Sequence, residues 1–427
     1  MNMKTFFVNI KERMFGGITV LEGVEYALLL MMAAVLPYDW QLMMWLLPLF
    51  VVNAAVRVAV ARRVGNPSLD KGARWTLWLL VAFYAYQLVS MLYSSNHADG
   101  WDMIVRRLPM LIVPVCLLCV DTKYFDSEKR RALMWVFTLS LTVKFLFCFV
   151  RMLVVHHGFV FSEAFDAVHH SYVSLYLLLA MGFVYSEWLK FSGSEHRAMR
   201  CVLYAIAIML AVYMVIVVSR AGIAAMAVML VAMVLHQFFG LHETRRGMVM
   251  VAAFAICGIS AYFLLPDNMR RLTKTFDEMT EGDTSDARYL IFGSSLKAIG
   301  ESMPFGVGIG DKNDVLAEVY EDTGNEKFIA AQYNSHIIYL DAMLTMGIPG
   351  LVLLLSFFAV PAVAAWRRGD IVLLSYVFAV AFSGLFEALL NRQMGIMFVA
   401  LFCCLVCTNE EVEPELLLHK VAGLQNR

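Results

Sequence analysis

Long apolar runs alternate with short polar segments along nearly the whole chain. A membrane-spanning helix needs about 20 mostly apolar residues, and twelve segments meet that criterion. The pattern therefore predicts an all-α fold of about twelve transmembrane helices. They lie near residues 18–37, 40–60, 75–93, 104–120, 132–154, 171–188, 201–218, 221–239, 248–265, 341–365, 371–390 and 395–409.

One long polar stretch, residues 266–335, interrupts the apolar pattern. Within it, the polar residues 283–286 can cap a helix from about Ala287 to Glu301. Pro304 and the glycines after it break that helix, and residues 313–331 are helix-like again. One face of the first helix is expected to pack on the membrane surface or the bundle. That face carries Leu290, Ile291, Leu296 and Ile299.

Composition agrees with a membrane protein. Of the 427 residues, 60% are hydrophobic and only 16% are charged, which is too little polar surface for a soluble domain. The eight cysteines lie in or beside apolar runs and are interpreted as small buried hydrophobic residues. Cys404 and Cys407 form a CxxC motif inside a span without a second pair, so neither a redox site nor a metal site is predicted there.

Basic residues are concentrated in alternate short loops. Cytoplasmic loops carry the excess of Lys and Arg, so this alternation predicts that both termini are cytoplasmic. The polar stretch and the turn at residues 219–222 then lie on the opposite face. The predicted organisation is nine helices in 1–265, an external loop or lid in 266–335, three helices in 336–409 and a cytoplasmic tail in 410–427. The orienting residues are Arg57, Arg62, Arg63, Lys71, Arg74, Lys123, Lys129, Arg130, Arg131, Lys190, Arg197, Arg200, Arg245, Arg246, Arg367 and Arg368.

His336 stands where the polar stretch re-enters the apolar pattern. An imidazole there can be neutral near pH 7 and accept a proton from a substrate hydroxyl. The alternative is an interfacial histidine that caps the start of a helix. The residue alone leaves both interpretations open.

Arg220 lies between two apolar runs with almost no loop, so its charge is expected at or just below the membrane face. Charge inside a membrane is costly and usually functional. A guanidinium offers bidentate donors to a phosphate and does not titrate. The alternative is an arginine that extends to the surface. Gly222, close by, would allow a ligand to approach the backbone.

Other cations fit the same kind of ligand. Arg288 falls in the first turn of the external helix, where it can also simply pair with the acids around it. Arg106 and Arg107 lie at the outer end of the fourth span and are further candidates for phosphate contact. Lys144 and Glu25 lie inside or near spans, and structural pairing is expected for both.

Histidines and a carboxylate flank this region. His170 begins a span and can line the same cavity as His336, and Glu387 with Arg392 lies near the outer face as a supporting pair. No cysteine or acidic cluster accompanies the histidines, so a metal site is not predicted. The glycine run at 306–310 follows no strand and is interpreted as a tight turn that fixes loop packing, not as a nucleotide-binding fingerprint. The remaining histidines of this loop are His156, His157 and His169.

The motifs taken together resemble the O-antigen ligase family of bacterial inner-membrane glycan transferases. That family often has Asn directly after the histidine, where Ile337 stands here, and Asn334 can substitute for it. The matching motifs are Ser-Arg-Ala-Gly at 219–222, Asp-Ala-Arg at 286–288, Pro-Phe-Gly-Val-Gly-Ile-Gly at 304–310, Asn-Ser-His at 334–336, Tyr-Leu-Asp at 339–341 and Gly-Ile-Pro-Gly-Leu at 347–351.

The resemblance implies a GT-C-like helical membrane fold in the bacterial inner membrane, with the active site at the periplasmic face. The donor would be a glycan on undecaprenyl pyrophosphate, and the acceptor a sugar hydroxyl on lipid A–core. Membrane lipids surround the spans, and no metal, other cofactor or nucleic acid is expected. His336 would be the base, and Arg220 and Arg288 would bind the pyrophosphate. The supporting residues would be Asn334, Tyr339, Asp341, His170, Arg106, Arg107 and Glu387.

Other functions use similar features. An O-antigen or exopolysaccharide polymerase shares the donor but takes a second lipid-linked glycan as acceptor, and a protein O-oligosaccharyltransferase takes Ser or Thr. A single long external loop favours the ligase. A transporter is disfavoured because no internal repeat is visible.

Overall fold

The computed structural model is helical throughout the part of the chain that it describes, with no strand in that part. The described residues are 17–155, 168–191, 196–217, 219–252, 255, 287–324, 328–329 and 333–408. The predicted all-α class is therefore confirmed for these residues. The predicted helix cap at 283–286 and the histidines 156 and 157 lie outside them.

The helices follow one another in the order of the apolar runs. In the first half they are α1 (Val20–Val35), α2 (Trp40–Ala61), α3 (Lys71–Ser90), α4 (His97–Arg107), α5 (Pro109–Cys119), α6 (Ser127–Val155), α7 (His170–Lys190), α8 (Arg197–Val217) and α9 (Arg220–Leu235), which continues as a π-helical turn (His236–Gly240). A further helical stretch covers 244–252. In the second half they are α10 (Ala287–Ser302), α11 (Lys312–Asp322), α12 (Ile338–Arg368), α13 (Ile371–Ser383), a 3-10 turn (Leu389–Asn391), α14 (Gln393–Phe402) and a 3-10 turn (Cys403–Cys407).

Six helices of the described part are long and apolar enough to cross a membrane. The chain is therefore a polytopic membrane protein, and the count of twelve spans remains a prediction. Most of the predicted span at 248–265 lies outside the described residues. The six segments are Gln41–Ala61, Ser127–Val154, His170–Lys190, Arg197–Val217, Arg220–Gly240 and Ile338–Arg368.

The predicted span at 104–120 is not one continuous helix. It is divided between α4 and α5 at Leu108, and Pro109 occupies the first turn of α5. Proline fits that position because the first N–H groups of a helix have no partner within it. The predicted span at 371–390 also ends early, at Ser383. The break at Leu108 and the early end at Ser383 lie at the same end of the bundle and bring polar main-chain groups together there.

Helix α7 is the centre of the bundle, because every residue from Tyr172 to Trp188 is buried. Small residues let its neighbours approach closely. A methyl group added to Gly182 of α7 would come within 1.9 Å of the Ser375 hydroxyl of α13, and one added to Gly222 of α9 would come within 2.5 Å of Ser174 Cβ.

Buried ion pairs join distant segments. The Arg130 guanidinium donates to both Asp370 carboxylate oxygens, at 2.8 and 2.7 Å, and Arg57 pairs with Glu25. Lys144 donates to the carbonyl of Pro37. The predicted structural pairing of Glu25 and Lys144 is therefore confirmed.

The lid, defined as α10, residues 303–311 and α11, packs on the first turns of α12. Ile291 and Ile299 of α10 are buried against Leu340 and Leu344 of α12. Leu296 was predicted on the same face but is exposed, because positions 291, 295 and 299 form the buried row. Helix α11 ends at Asp322, earlier than predicted, and Gly324 follows with a positive φ of 70°.

The glycine-rich segment of the lid is bonded to a break in α12. Gly347 has non-helical torsion angles (φ 63°, ψ −154°), so the helix does not hydrogen-bond normally through this point. The N–H of Val307 donates to the Leu344 carbonyl at 2.8 Å, and the N–H of Ile348 donates to the Pro304 carbonyl at 2.9 Å. The prediction that this segment is a tight turn that fixes loop packing is confirmed.

Candidate functional site

The turn between α13 and α14, residues Gly384–Arg392, contains Glu387 and bonds to Arg106, Arg107 and Asp341, four of the predicted site residues. We call it the platform turn. Its Gly384 carbonyl accepts a hydrogen bond from the N–H of Ile338 at 2.9 Å, two residues after His336. The end of the bundle that carries the platform turn and the lid is called the lid end below.

His336 is held in an unusual backbone conformation at the lid end. Its φ is +51°, in the left-handed region that few non-glycine residues adopt. The side-chain oxygen of Asn334 accepts a hydrogen bond from the His336 N–H at 2.9 Å, which closes an Asx-type turn. The half-buried imidazole lies 5.5 Å from the Tyr333 ring, centroid to centroid. This hydrogen bond holds the His336 backbone in its left-handed conformation.

Tyr339 and Asp341 follow on the first turns of α12. The Tyr339 hydroxyl donates to the Ala381 carbonyl of α13 at 2.8 Å, so this tyrosine joins two helices. Asp341 is 5% exposed and points into a buried cluster of charges. Asp341 is therefore enclosed, whereas Tyr339 and His336 are both half-buried.

The buried cluster contains Arg107, Lys312, Asp341 and Asn391, and we call it the charge network. Asp341 accepts from Arg107 Nη2 at 3.1 Å, from Lys312 Nζ at 2.8 Å and from Asn391 Nδ2 at 3.0 Å. Arg107 also donates to the Leu390 carbonyl at 2.8 Å and to the Gln87 side chain at 3.0 Å. These bonds join α3, α4, the lid, α12 and the platform turn.

Arg106 lies beside the charge network but is partly exposed. It pairs with Asp102 one turn earlier in α4 and donates to the Asn391 carbonyl at 3.2 Å. Its guanidinium therefore lies at the edge of the platform turn. Of the two neighbouring arginines, Arg106 is near the surface, whereas Arg107 is enclosed.

The start of α7 lies on the other side of the platform turn. The ring of Tyr172 is so close to Gly395 that an added methyl group would be 3.0 Å from it. His169 and His170 have ring centroids 3.9 Å apart. Burial and the nearby charge of Arg392 lower the pKa of His169, which favours its neutral form. Glu387, half-buried, belongs to the same turn.

Arg220 is exposed at the first position of α9. Ser219 caps this helix, since its hydroxyl accepts from the Gly222 N–H at 3.1 Å. Gly222 was predicted to admit a ligand, but the space over it is filled by Ser174 of α7. Ser174 lies one helical turn after His170 in α7, so this contact places the start of α9 near His170.

Arg288 lies in the first turn of α10, the helix of the lid that packs on α12. The structure describes its backbone but not its side chain.

The described residues contain no group of three His, Cys, Asp or Glu side chains able to hold a metal ion. The chemistry available at the lid end is that of imidazole, guanidinium and carboxylate groups. Such a set can accept a proton and stabilise negative charge.

Two members of the charge network, Lys312 and Asn391, were not predicted from the sequence. Lys312 follows the glycine-rich segment directly and has the appearance of an ordinary loop lysine. Asn391 sits one residue before Arg392, directly after the predicted span at 371–390. The one available signal was the polar interruption at residues 391–393 in an otherwise apolar region.

Comparison with known proteins identifies one family. Residues 204–355 match the family model described as O-antigen ligase. The match begins in α8, includes Arg220, Arg288 and His336, and ends in α12. No curated protein matches the chain significantly. The resemblance drawn from the motifs is therefore confirmed over this segment.

Proposed function

We propose that this chain, a member of the O-antigen ligase family by its residues 204–355, is an inverting glycosyltransferase. It moves a glycan from undecaprenyl pyrophosphate to a sugar hydroxyl of lipid A–core. The observation that carries the proposal is the fixed position of His336, beside a turn lined with cations and inside the family segment. The family match supports the type of enzyme, and the donor, the acceptor and the residue roles are part of the proposal.

His336 acts as the general base. Its imidazole takes the proton of the acceptor hydroxyl as the hydroxyl oxygen bonds to the anomeric carbon. The bond between that carbon and the pyrophosphate oxygen breaks at the same time, and undecaprenyl pyrophosphate leaves with the electron pair. Attack from the face opposite the leaving group inverts the anomeric configuration. The left-handed turn at residues 334–336 supports this role because it fixes the ring near the platform turn.

Cations stabilise the charge that develops on the leaving pyrophosphate. Arg220 at the start of α9 and Arg288 at the start of α10 are assigned to this group. Arg106 and Arg392 belong to the same end of the bundle. The exposure of Arg220 supports its availability to a ligand.

The proposed setting is the periplasmic face of the bacterial inner membrane, with both termini in the cytoplasm. Basic loop residues such as Lys71, Arg74, Arg131 and Arg368 belong to the helix ends opposite the lid, as this orientation requires. The apolar helices would hold the polyprenyl tail, and the lid would cover the sugar-binding cavity.

The test is a chromosomal deletion complemented with plasmid-borne variants. The deletion is expected to leave core without polymer and to leave intact polymer on the carrier lipid. His336→Ala should insert normally and fail to restore transfer, while His97→Ala, an exposed histidine in the first turn of α4, should restore it. Arg220→Lys keeps the charge and loses the bidentate geometry, so it should restore little transfer.

Two results would reject this assignment. Normal transfer by His336→Ala would remove the general-base role. Single repeat units on the core of the deletion strain would identify a polymerase, which shares the donor and the chemistry but uses a lipid-linked glycan as acceptor.

A further inference from the structure

The charge network holds one more positive charge than its single carboxylate can balance. Arg107, Lys312 and Asp341 are 1%, 2% and 5% exposed, so water does little to screen them. Both oxygens of Asp341 are already used, one by Arg107 and the other by Lys312 and Asn391. The remaining acceptors are neutral oxygens of Gln87, Leu390 and Asn391.

The described acids around the network form no ion pair with its arginine or its lysine. On α4, Arg106 is paired with Asp102 and adds no net charge. On the lid, the half-buried carboxylate of Asp311 accepts from the N–H groups of residues 95 and 96, at 2.6 to 2.9 Å. Asp314 is exposed and accepts from the Asn96 side chain at 2.8 Å. On the platform turn, Glu387 and Arg392 carry opposite charges. Helices α3 and α12 add only Gln87 and Asp341.

Stability does not explain why Lys312 is charged and buried. Burial lowers its pKa to about 8, against the attraction of Asp341. Without the lysine, Arg107 and Asp341 would remain as a neutral hydrogen-bonded pair. Buried ions are often replaced by apolar groups without loss of stability, and costly charges that persist are commonly found at functional sites.

We propose that Lys312 is a positioning residue that keeps a surplus positive charge beneath the platform turn, where the charge favours binding of the donor's pyrophosphate. The inference rests on the proposed function. Lys312 acts through the turn rather than by touching the substrate, because Asn391 accepts from Lys312 Nζ at 2.8 Å inside the protein. On the same residue, the main-chain carbonyl binds Arg106 at the partly exposed edge.

The size of the effect follows from electrostatics. At an effective dielectric constant of about 20, a unit charge about 10 Å from a phosphate changes its binding on the order of tenfold. An anion near the turn also favours the protonated lysine. Donor affinity is therefore expected to fall as the pH rises through about 8, where Lys312 loses its proton.

The pH dependence of stability has the opposite sign. The pKa of Lys312 is lowered on folding from 10.5 to about 8, so between these values the unfolded state binds the proton and the folded state does not. The free energy of unfolding contributed by this group therefore rises with pH across that interval. If Lys312 acted on stability alone, donor affinity would not fall over the pH range in which the free energy of unfolding rises.

The experiment measures the affinity of purified protein in nanodiscs for undecaprenyl pyrophosphate at pH 7 and pH 9. Lys312→Met should bind about tenfold more weakly at pH 7, without a lower unfolding temperature. The ligand's own titration changes affinity between pH 7 and pH 9 in every variant. The additional fall in affinity that the wild type shows over this range should be absent in Lys312→Met. Lys297→Met is the matched control and should bind normally, since this lysine pairs with Asp322 on the exposed side of the lid.

A double variant separates charge from contact. Lys312→Met with Asp341→Asn removes one cation and one anion, so Arg107 again gives the network a single surplus positive charge. If the surplus charge is what matters, the double variant should recover most of the affinity that Lys312→Met loses.

Three outcomes would overturn the inference. Lys312→Met could bind as tightly as the wild type, or it could unfold at a lower temperature while the double variant fails to recover binding. Both results leave the proposed function standing. Wild-type protein that does not bind undecaprenyl pyrophosphate would instead remove the proposed donor, and the inference with it.

Discussion

The N–H of Gly308 donates to the carbonyl of Thr345 at 3.0 Å. In a regular helix that carbonyl would accept from the residue four positions later, which is Pro349 and has no N–H. The lid therefore supplies a hydrogen bond that α12 cannot make for itself. This contact and the hydrogen bonds of the Val307 and Ile348 N–H groups attach the lid to α12, the helix that begins two residues after His336.

Replacing Gly308 should separate the lid from α12. Gly308 has a φ of +92°, and an added methyl group would lie 2.2 Å from the Ser94 hydroxyl and 2.9 Å from the Ser90 carbonyl. Gly308→Ala is therefore expected to cost on the order of 2 kcal/mol or more of unfolding free energy. Thermal unfolding and protease cleavage within the lid, both in detergent, would measure the loss.

Gly300→Ala is the matched control on the same lid. Gly300 lies on the exposed side of α10, with nothing within 4 Å of the added methyl group, and alanine should stabilise the helix by about 0.5–1 kcal/mol. Equal protease resistance of the two variants would contradict the close packing of Gly308.

The sequence predicts the helical class well because long apolar runs leave few alternatives in a membrane. The prediction of a span from the sequence fails where a polar feature interrupts an apolar run. The division of 104–120 falls at Pro109, and α4 begins earlier than the predicted span because Asn96 caps it, with its oxygen accepting from the Asp99 N–H at 3.1 Å. Hydropathy does not distinguish such a break from a continuous span.

The candidate site is predicted in part for a similar reason. His336 and Arg220 are recognisable from residue type and from their place at the ends of apolar runs. The charge network is recognisable only in part, because Arg107 and Asp341 are predicted as supporting residues whereas Lys312 and Asn391 are not. Only folding brings these side chains together, and none shows a local periodicity.

Asn334 should matter for catalysis more than for stability. Its side-chain oxygen accepts from the His336 N–H at 2.9 Å and holds the proposed base in the left-handed conformation. Asn334→Ala is expected to lower kcat about tenfold or more, because small displacements of a catalytic group are costly, with KM and unfolding temperature little changed. Asn334→Asp keeps the acceptor and should retain most activity.

Asn313→Ala is the control for this experiment, because Asn313 is an exposed residue of the lid. It should leave kcat unchanged in the same transfer assay. If Asn334→Ala also has normal kcat, the turn does not determine the position of His336.

Arg130 and Asp370 form a buried pair that is separate from the candidate site. Both guanidinium–carboxylate contacts are short, at 2.8 and 2.7 Å, and Asp370 also caps α13 by accepting from the Leu373 N–H at 2.9 Å. The pair joins α6 to the beginning of α13, whereas the platform turn follows the end of α13. Its contribution is therefore expected to concern folding and not transfer.

Removing one member of this pair should be far more costly than removing both charges. Arg130→Met leaves the Asp370 carboxylate buried without its cation and should lower the unfolding free energy by about 3–5 kcal/mol. Arg130→Met with Asp370→Asn removes that charge and retains the capping oxygen, so much of the loss should be recovered. Unfolding in a graded detergent mixture gives the free energies of unfolding of the wild type, Arg130→Met and the double variant. A transfer assay normalised to folded protein should give equal rates for all three. A double variant as unstable as Arg130→Met would show that the cost comes from lost packing of the arginine and not from the unpaired charge.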